Sequence, residues 1–590
     1  MCGIVGGIGN INFHDFLIDG IKALEYRGYD SSGIAYKIDQ NVYVYKEVGR
    51  VKELEKLVPS FTGAKIGIAH TRWATHGVPS RENAHPQFSQ NKQIYIVHNG
   101  VILNYKDLKN KLIEKGYSFV SGTDTEVVAN LLEDDYQLTH NPIKTIYNVS
   151  KIIDGSYAIL VIFADRDELY FMKNKSPLVI NSDSNGVYFS SDFLPLIDYS
   201  NYFVNLSDNT YGYATSSEYK IYKDEKEISI EKVMILKEDY DYNLNSHEFY
   251  MHKEIFESSS VIERIKNNYT KDLNIVFSED IINTIRNAKE LIFLSCGSSY
   301  YASLIAKEYF DKTDLRVSSF IASEWAYNNK IHTDNPVFIL ISQSGETGDL
   351  IDCLRFINEK GYKSVAITNR NQSTIYNLST YQILLHAGLE VAVAATKSFI
   401  AQVYVLKLLR DQLLNISFNE VEYTKIVESI NDICSKENTI LDISRQIYTF
   451  KDGFFVGKGF DYLASLESAL KLKEVSYIHT EAYPSGELKH GPIALIKNDV
   501  PVIAFISNKF FDKSVRNNLE ELKSRGALTF IVSSTISNME EDNITYLNVS
   551  EELNVIPEII FGQLLSYNVA KLLNREIDKP KNLAKSVTVI

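Results

Sequence analysis

The second half of the chain carries its own pattern twice, and this constrains the fold more than any other feature. Gly297-x-x-Tyr300-x-Ala302-Ser303-Leu304 recurs as Gly459-x-x-Tyr462-x-Ala464-Ser465-Leu466, an offset of 162 residues. Pro336, Val337 and Ser342 recur as Pro501, Val502 and Ser507, and Gly361 as Gly526, each at an offset of 165. Several matches in the same order argue for tandem duplication of one structural unit. Within the copies, short apolar runs such as 291–294, 337–341 and 365–368 alternate with helical periodicity. That alternation is the signature of a parallel sheet covered on both faces. Two α/β doubly wound subdomains are therefore expected at 271–430 and 431–575, followed by a tail at 576–590.

Residues 1–240 have a different texture. Short apolar runs at 34–36, 42–45, 66–69, 94–97, 157–163 and 186–190 are separated by Gly, Asn and Asp turns. Helical patterns intervene at 15–25, 105–115 and 125–132, which together predict an α+β domain with mostly antiparallel sheets. Between the halves, 241–270 reads as a linker containing the triplet Ser258-Ser259-Ser260 and one helix near 251–256. A chain of 590 residues is too long for a single core. Its net charge of −14, from 61 basic and 75 acidic residues, disfavours nucleic acid as a general partner. No apolar run reaches the 18 or so residues of a membrane span, and the start lacks a basic n-region and cleavage site, so a cytoplasmic protein with no membrane partner is expected. Cys2, Cys296, Cys353 and Cys434 show no C-x-x-C or finger spacing, which points away from a disulfide framework or zinc site. The histidines lack the i, i+4 spacing of a helical metal site, and no metal or other cofactor is expected.

Several clusters suit chemistry. Cys2 becomes the first residue if Met1 is removed, and its α-amine, with an unperturbed pKa of about 8, lies beside its own thiol. Such a residue is a nucleophile carrying its own base. Arg72 and Asp124 together suit an α-amino acid, the guanidinium holding its carboxylate and the aspartate its ammonium. The amide of Asn99 beside the N–H of Gly100 can form an oxyanion hole. In the second half, Ser342, Gln343, Ser344 and Thr347 lie between an apolar run and a helical pattern, where free helix amides and hydroxyls cradle a phosphate. Cys296-Gly297-Ser298-Ser299 follows its strand in the same way, so both loops could converge at the carboxyl ends of neighbouring strands. The second copy shows Ser507-Asn508-Lys509-Phe510 instead, and one phosphate site per chain is expected. Glu467, Lys471 and Glu474 share a helix face, a spacing that an ion-paired surface explains as well as a catalytic one. A Gly/Pro-framed loop presents His490, and the apolar tail around Lys585 would lower that amine's pKa on docking.

The first half, through Cys2-Gly3-Ile4-Val5, 24–31 (Leu-Glu-Tyr-Arg-Gly-Tyr-Asp-Ser), the Arg72-Trp73 loop, His98-Asn99-Gly100 and Thr123-Asp124, resembles the class II (N-terminal nucleophile) glutamine amidotransferases. The resemblance implies a four-layer α+β domain in which Cys2 attacks the glutamine carboxamide and Asn99 with Gly100 holds the oxyanion. It further implies that Arg72 and Asp124 grip the substrate, that Thr75, His76 and Gly77 line the pocket, and that Trp73 gates the released ammonia.

The second half is similar to the sugar-isomerase (SIS) domain pair of the glutamine:fructose-6-phosphate amidotransferases, so the resemblance covers essentially the whole chain. By that likeness Ser298, Ser299, Ser342, Gln343, Ser344 and Thr347 bind the sugar phosphate and Lys585 forms an imine with the fructose carbonyl. His490 assists ring opening, and Glu474 moves a proton between C1 and C2 with Lys471 supporting it. The implied partners are glutamine, fructose 6-phosphate and a second copy in a homodimer, with ammonia passing through a closed interior route. The chain departs from the family pattern at Leu103, at Lys458, at 258–260 and at Ile590, none of which carries a chemical step. Two other readings are another class II amidotransferase and a sugar-phosphate-sensing protein with decayed catalytic residues. The Ser342–Thr347 loop argues against the first, and intact Cys2, Glu474, His490 and Lys585 against the second.

Overall fold

The computed structural model describes residues 2–73, 76–235, 243–328 and 330–587. By its contacts the chain divides into two units, one of residues 1–241 joined by the tail from 584 on, the other of residues 242–583.

The first unit stacks two antiparallel sheets. One has eight strands, in which Gly3–Gly9 lies between Gly186–Ser190 and Ile66–Arg72, with Ser31–Ile38 and Asn41–Val48 continuing beyond the latter. The other has seven, with Ile94–Ile102, Gly155–Phe163 and Leu169–Asn174 at its centre. Ile4, Ile8, Ile66 and Ile68 of one sheet meet Val97, Leu160 and Phe171 of the other in a shared core. The alternate residues of the second sheet, including Ile96, Ile159 and Val161, face the helices Asp124–Thr139 and Pro142–Ile152. Helix Phe13–Ala23 covers the outside of the first sheet, where Gly67 lets Phe13 and Leu17 close on the strand. The period-2 alternation of the strands thus sorts side chains into two cores and builds the α-β-β-α order.

The second unit holds two five-stranded parallel sheets of identical order. In the first the order is Arg316–Ile321, Glu290–Ser295, Pro336–Ser342, Lys363–Thr368, Tyr381–Leu384. In the second it is His479–Pro484, Asp452–Gly457, Pro501–Ile506, Leu528–Ser534, Ile544–Tyr546. Both faces of the first sheet are covered, since Leu291, Phe293 and Ile339 pack into one core while Ile292, Leu294 and Phe338 pack into another around Trp325. The larger core is common to both copies. Phe455, Ile503 and Phe505 of the second sheet join it through helices Lys397–Leu413, Phe460–Ser476 and Val555–Leu572.

The stretch 241–270, expected to be a linker with a single helix, holds two. They are Tyr250–Phe256 and Ser258–Tyr269, and Met251, Ile255, Val261, Ile262 and Ile265 are buried in the common core. The serine triplet opens the second helix, a position serine tolerates well, and the apolar stripe after it supplies the packing energy. Asp578 accepts the N–H groups of Tyr250 (2.9 Å) and Met251 (2.8 Å), tying the first helix start to the end of the chain. No helix among the described residues is long and apolar enough to cross a membrane.

Candidate active sites

In the first unit, strand pairing sets Gly3 opposite Thr71, which brings Cys2 to the end of strand Ile66–Arg72. Its Sγ lies 3.3 Å from the Trp73 N–H. Burial raises the thiol above its ordinary value, and the Trp73 N–H pulls the other way. A thiol so placed requires a base before it can act as a nucleophile.

Asn99 and Gly100 lie on strand Ile94–Ile102 of the facing sheet. Asn99 turns its Nδ2 to the Cys2 carbonyl at 3.0 Å. Its Oδ1 is held by His70 Nε2 at 3.1 Å, and the same nitrogen is 2.9 Å from the His98 carbonyl. Both partners are acceptors, so Nε2 carries the proton and the amide is locked with its NH₂ toward Cys2. Burial pushes His70 down to about 3, which keeps it neutral, and likewise lowers His85 and His98. These histidines serve as hydrogen-bonding and stacking groups, with His70 and His85 ring centres 4.2 Å apart. Gly100 has φ of 128°, and a Cβ there would stand 1.9 Å from the Ser156 carbonyl oxygen. Only glycine fits that turn of the strand.

Arg72 is buried, and its Nη2 donates to the carbonyls of His76 and Gly77, the latter at 3.0 Å. Its Nη1 is buried with no hydrogen-bond partner among the described residues, a donor positioned to receive a carboxylate. Asp124 opens helix Asp124–Thr139, buried, with Oδ2 accepting the Ile102 N–H at 2.8 Å. Trp73 meets Tyr29 edge-on, with centroids 6.0 Å apart. The neighbouring motif residues Tyr26 and Arg27 both bond Asp192 Oδ2, at 2.6 and 2.5 Å, which pins that segment to the sheet. Thr75 lies outside the described residues.

In the second unit, Ser342 ends strand Pro336–Ser342 and its Oγ pairs with Thr347 Oγ1 at 2.9 Å while accepting the Gly345 N–H at 3.0 Å. Ser344 Oγ accepts the Glu346 N–H at 3.2 Å. Glu346 in turn takes both the N–H and the hydroxyl of Thr374 at 2.8 Å, which holds the loop against the next strand's connection. Helices Gly348–Glu359 and Ser298–Phe310 both begin without a side-chain cap, so their first amides remain open to an anion. Ser299 Oγ accepts from Gln402 Nε2 at 3.0 Å. The hydroxyls of Ser342, Ser344 and Thr347 thus surround the start of one helix, while Ser298 and Ser299 open the helix of the adjacent strand.

The face of helix Phe460–Ser476 carries the titratable cluster. Lys471 is fully buried, bonded to Glu474 Oε2 and 3.5 Å from Glu467 Oε1. Burial works to lower its amine, but the two carboxyls outweigh it and hold Lys471 protonated. Glu467, fully buried, is pushed up to about 8 by desolvation, and neither of its oxygens has a hydrogen-bond partner among the described residues. Glu474 keeps partial access to solvent, so it is the carboxylate of this face open to a ligand. His490 ends the short turn Glu487–His490, is exposed, and makes no hydrogen bond or ion pair among the described residues. Lys585 is half-buried, in the part of the tail that groups with the first unit.

Two acids had no motif to announce them. Glu254 accepts the N–H groups of Val391 (2.5 Å) and Ala392 (3.2 Å), and Glu390 those of Thr396 (2.9 Å) and Ser398 (3.0 Å). Together they fasten the loop before helix Lys397–Leu413, and the charge of Glu390 is felt at Lys471. The one sequence signal was a glutamate standing alone in the apolar stretch 387–395.

The SIS domain family matches residues 284–410 and 446–570, and the glutamine amidotransferase domain family matches residues 70–198. The glutamine--fructose-6-phosphate aminotransferase [isomerizing] of Bacillus cereus is 38% identical over 602 residues, covering all of both chains. The protein of the same name from Staphylococcus aureus is 39% identical over 607 residues, again covering both completely. Among solved structures, the C-terminal domain of glucosamine-fructose-6-phosphate aminotransferase from Francisella tularensis aligns with 58% of this chain and 100% of its own, at 31% identity and a TM-score of 0.52. The chain belongs to the isomerizing glutamine--fructose-6-phosphate aminotransferase family.

Proposed function

We propose that the chain converts glutamine and fructose 6-phosphate into glutamate and glucosamine 6-phosphate, with Cys2 releasing the nitrogen. Removal of Met1 frees the Cys2 α-amine, which takes the thiol proton as the sulfur attacks the carboxamide carbon. The Asn99 Nδ2 and the Gly100 N–H hold the oxyanion, Arg72 the substrate carboxylate and Asp124 its ammonium, with Thr75, His76 and Gly77 around them. Collapse of the tetrahedral adduct expels ammonia past Trp73, and water then hydrolyses the thioester to glutamate.

At the second site, Ser298, Ser299, Ser342, Gln343, Ser344 and Thr347 bind the sugar phosphate. His490 assists ring opening, Lys585 forms the imine at the ketose carbonyl, and ammonia displaces the lysine from it. Glu474 carries the proton from C1 to C2, and Lys471 keeps that carboxylate oriented. One water is consumed at Cys2 and one is released on imine formation, so the overall reaction balances without a nucleotide or redox partner. The exposed His490 loop supports a homodimer in which that loop serves the neighbouring copy. Four unpaired cysteines and a net charge of −14 suit the cytoplasm.

The observation that carries this reading is the Asn99 amide locked by His70 with its NH₂ on Cys2. Incubating the chain with glutamine and fructose 6-phosphate alone tests it. Equal amounts of glutamate and glucosamine 6-phosphate are expected, and glutamate without amino sugar would reduce the chain to a glutaminase.

A further inference from the structure

The two copies in the second unit share a strand order and a helix start, yet they differ at the residue that follows. Gly297 caps helix Ser298–Phe310 with φ 57° and ψ −134°, and Gly459 caps helix Phe460–Ser476 with φ 63° and ψ −127°. Each helix therefore leaves its strand by the same turn, and the second helical residue is Ser299 in one copy and Asp461 in the other.

Asp461 is buried, and Ser507 at the end of the adjacent strand Pro501–Ile506 donates to both of its oxygens. The Ser507 N–H reaches Oδ2 at 3.0 Å and its hydroxyl bonds Oδ1. In the first copy the corresponding strand-end hydroxyl, Ser342, bonds only Thr347 and the Gly345 N–H. Beside Asp461 lies Glu558, fully buried, whose Oε1 accepts from Tyr546 Oη at 2.7 Å. Desolvation and the Asp461 charge push the Glu558 carboxyl well up, while Asp461 rises only to about 6, raised by burial and held down by Ser507. Both carboxyls are raised, Glu558 the more strongly, so Asp461 is the acid of the pair that ionises first.

We propose that Asp461 is a built-in anion that fills the second copy's counterpart of the phosphate cradle and so restricts the chain to one sugar-phosphate site. The inference rests on the reading of Ser342, Ser344 and Thr347 as that cradle. Its carboxylate accepts from the strand-end N–H and hydroxyl and lies in the first turn of a 17-residue helix, where negative charge is favoured. A phosphate approaching that turn would meet a fixed charge of its own sign with its donors already taken. Replacing Asp461 by the serine found in the other copy removes the charge and opens its volume, leaving the Ser507 N–H and hydroxyl and the uncapped helix amides as donors where this copy lacks the loop hydroxyls.

Equilibrium dialysis of the full chain against labelled inorganic phosphate counts the sites. Wild type is expected to bind one phosphate, D461S two, and the double variant S342A/T347V none. The triple variant carrying all three changes should retain one. D461G serves as a second variant should D461S misfold, with the same expected count of two. If neither folds in phosphate-free buffer, recovery of a cooperative melt on adding phosphate supports the inference and its absence opposes it. A folded D461S or D461G that still binds one phosphate overturns it. One phosphate retained by S342A/T347V would instead break the cradle assignment and leave the Asp461 count to be judged by itself.

Discussion

The two candidate active sites are built on opposite plans. Around Cys2 the parts sit mostly on strands of two facing sheets of one unit, and burial lowers His70, His85 and His98 and raises the thiol. Around Lys471 the plan is ionic, with a buried ammonium between two carboxyls on one helix. The contrast follows the chemistry. Amide hydrolysis at a cysteine requires a fixed hydrogen-bond donor aimed at one oxyanion, which rigid strands supply. Aldose–ketose proton transfer requires a carboxylate that changes protonation during the cycle, which a charged cluster tunes.

The largest effect separates the two halves outright. Cys2→Ala should lower glutamine-dependent synthesis by at least about 10³-fold, the scale of removing a nucleophile. Isomerisation of the sugar phosphate should be unchanged, and a parallel loss of both would show that the sites are not independent. Glu474→Gln should do the reverse, cutting amino-sugar formation by about 10²- to 10⁴-fold while glutamine hydrolysis persists.

A smaller effect probes the rigid plan. His70→Ala frees the Asn99 amide to turn, and a misaimed oxyanion donor should cost about 10-fold to 10²-fold in kcat for glutamine hydrolysis. KM for glutamine should hold, because Arg72 and Asp124 are untouched, and His70→Gln should recover part of the loss through its own N–H. Since His70 is neutral down to about pH 3, the pH profile near neutrality should not move. A glutamine KM that rises with kcat unchanged would assign His70 to substrate binding instead.

The smallest effect probes the ionic plan. Glu467 is raised to about 8 in the fold from an ordinary 4.5, so the folded chain holds a proton that the unfolded chain has released. Stability from this group is therefore full below about pH 4.5 and is lost progressively as pH rises to about 8. Glu467→Gln keeps the neutral form at every pH. Melting temperatures between pH 5 and 8 should fall less steeply in that variant than in wild type, and identical slopes would contradict a protonated Glu467.

Much of this was legible in the chain because it is local or repeated. The duplicated α/β unit showed itself through matched glycines and strand ends, and Cys2, Arg72, Asn99 and Asp124 each sit in a short motif. What was not legible depends on partners far apart in sequence. His70 acts through Asn99 on the facing sheet, and its spacing to Arg72 shows only that both share a strand face. Asp461 meets Ser507 across 46 residues and Glu558 lies farther still, so neither looks different from an ordinary helix acid. Residues 258–260 read as loop because serine favours turns, whereas the stripe Val261, Ile262 and Ile265 decided for helix. Glu254 and Glu390 hold a backbone loop by their carboxylates, a role that leaves no spacing signature.

The most direct test of the account follows one nitrogen atom between the two sites. The full chain is given fructose 6-phosphate and glutamine labelled with ¹⁵N at the side-chain amide, in a pool of unlabelled ammonium, and the amino sugar is weighed by mass spectrometry. Release at Cys2 coupled to capture at the sugar site predicts glucosamine 6-phosphate carrying almost entirely the label. An amino sugar with the isotopic composition of the surrounding ammonium, or no amino sugar at all, would contradict it.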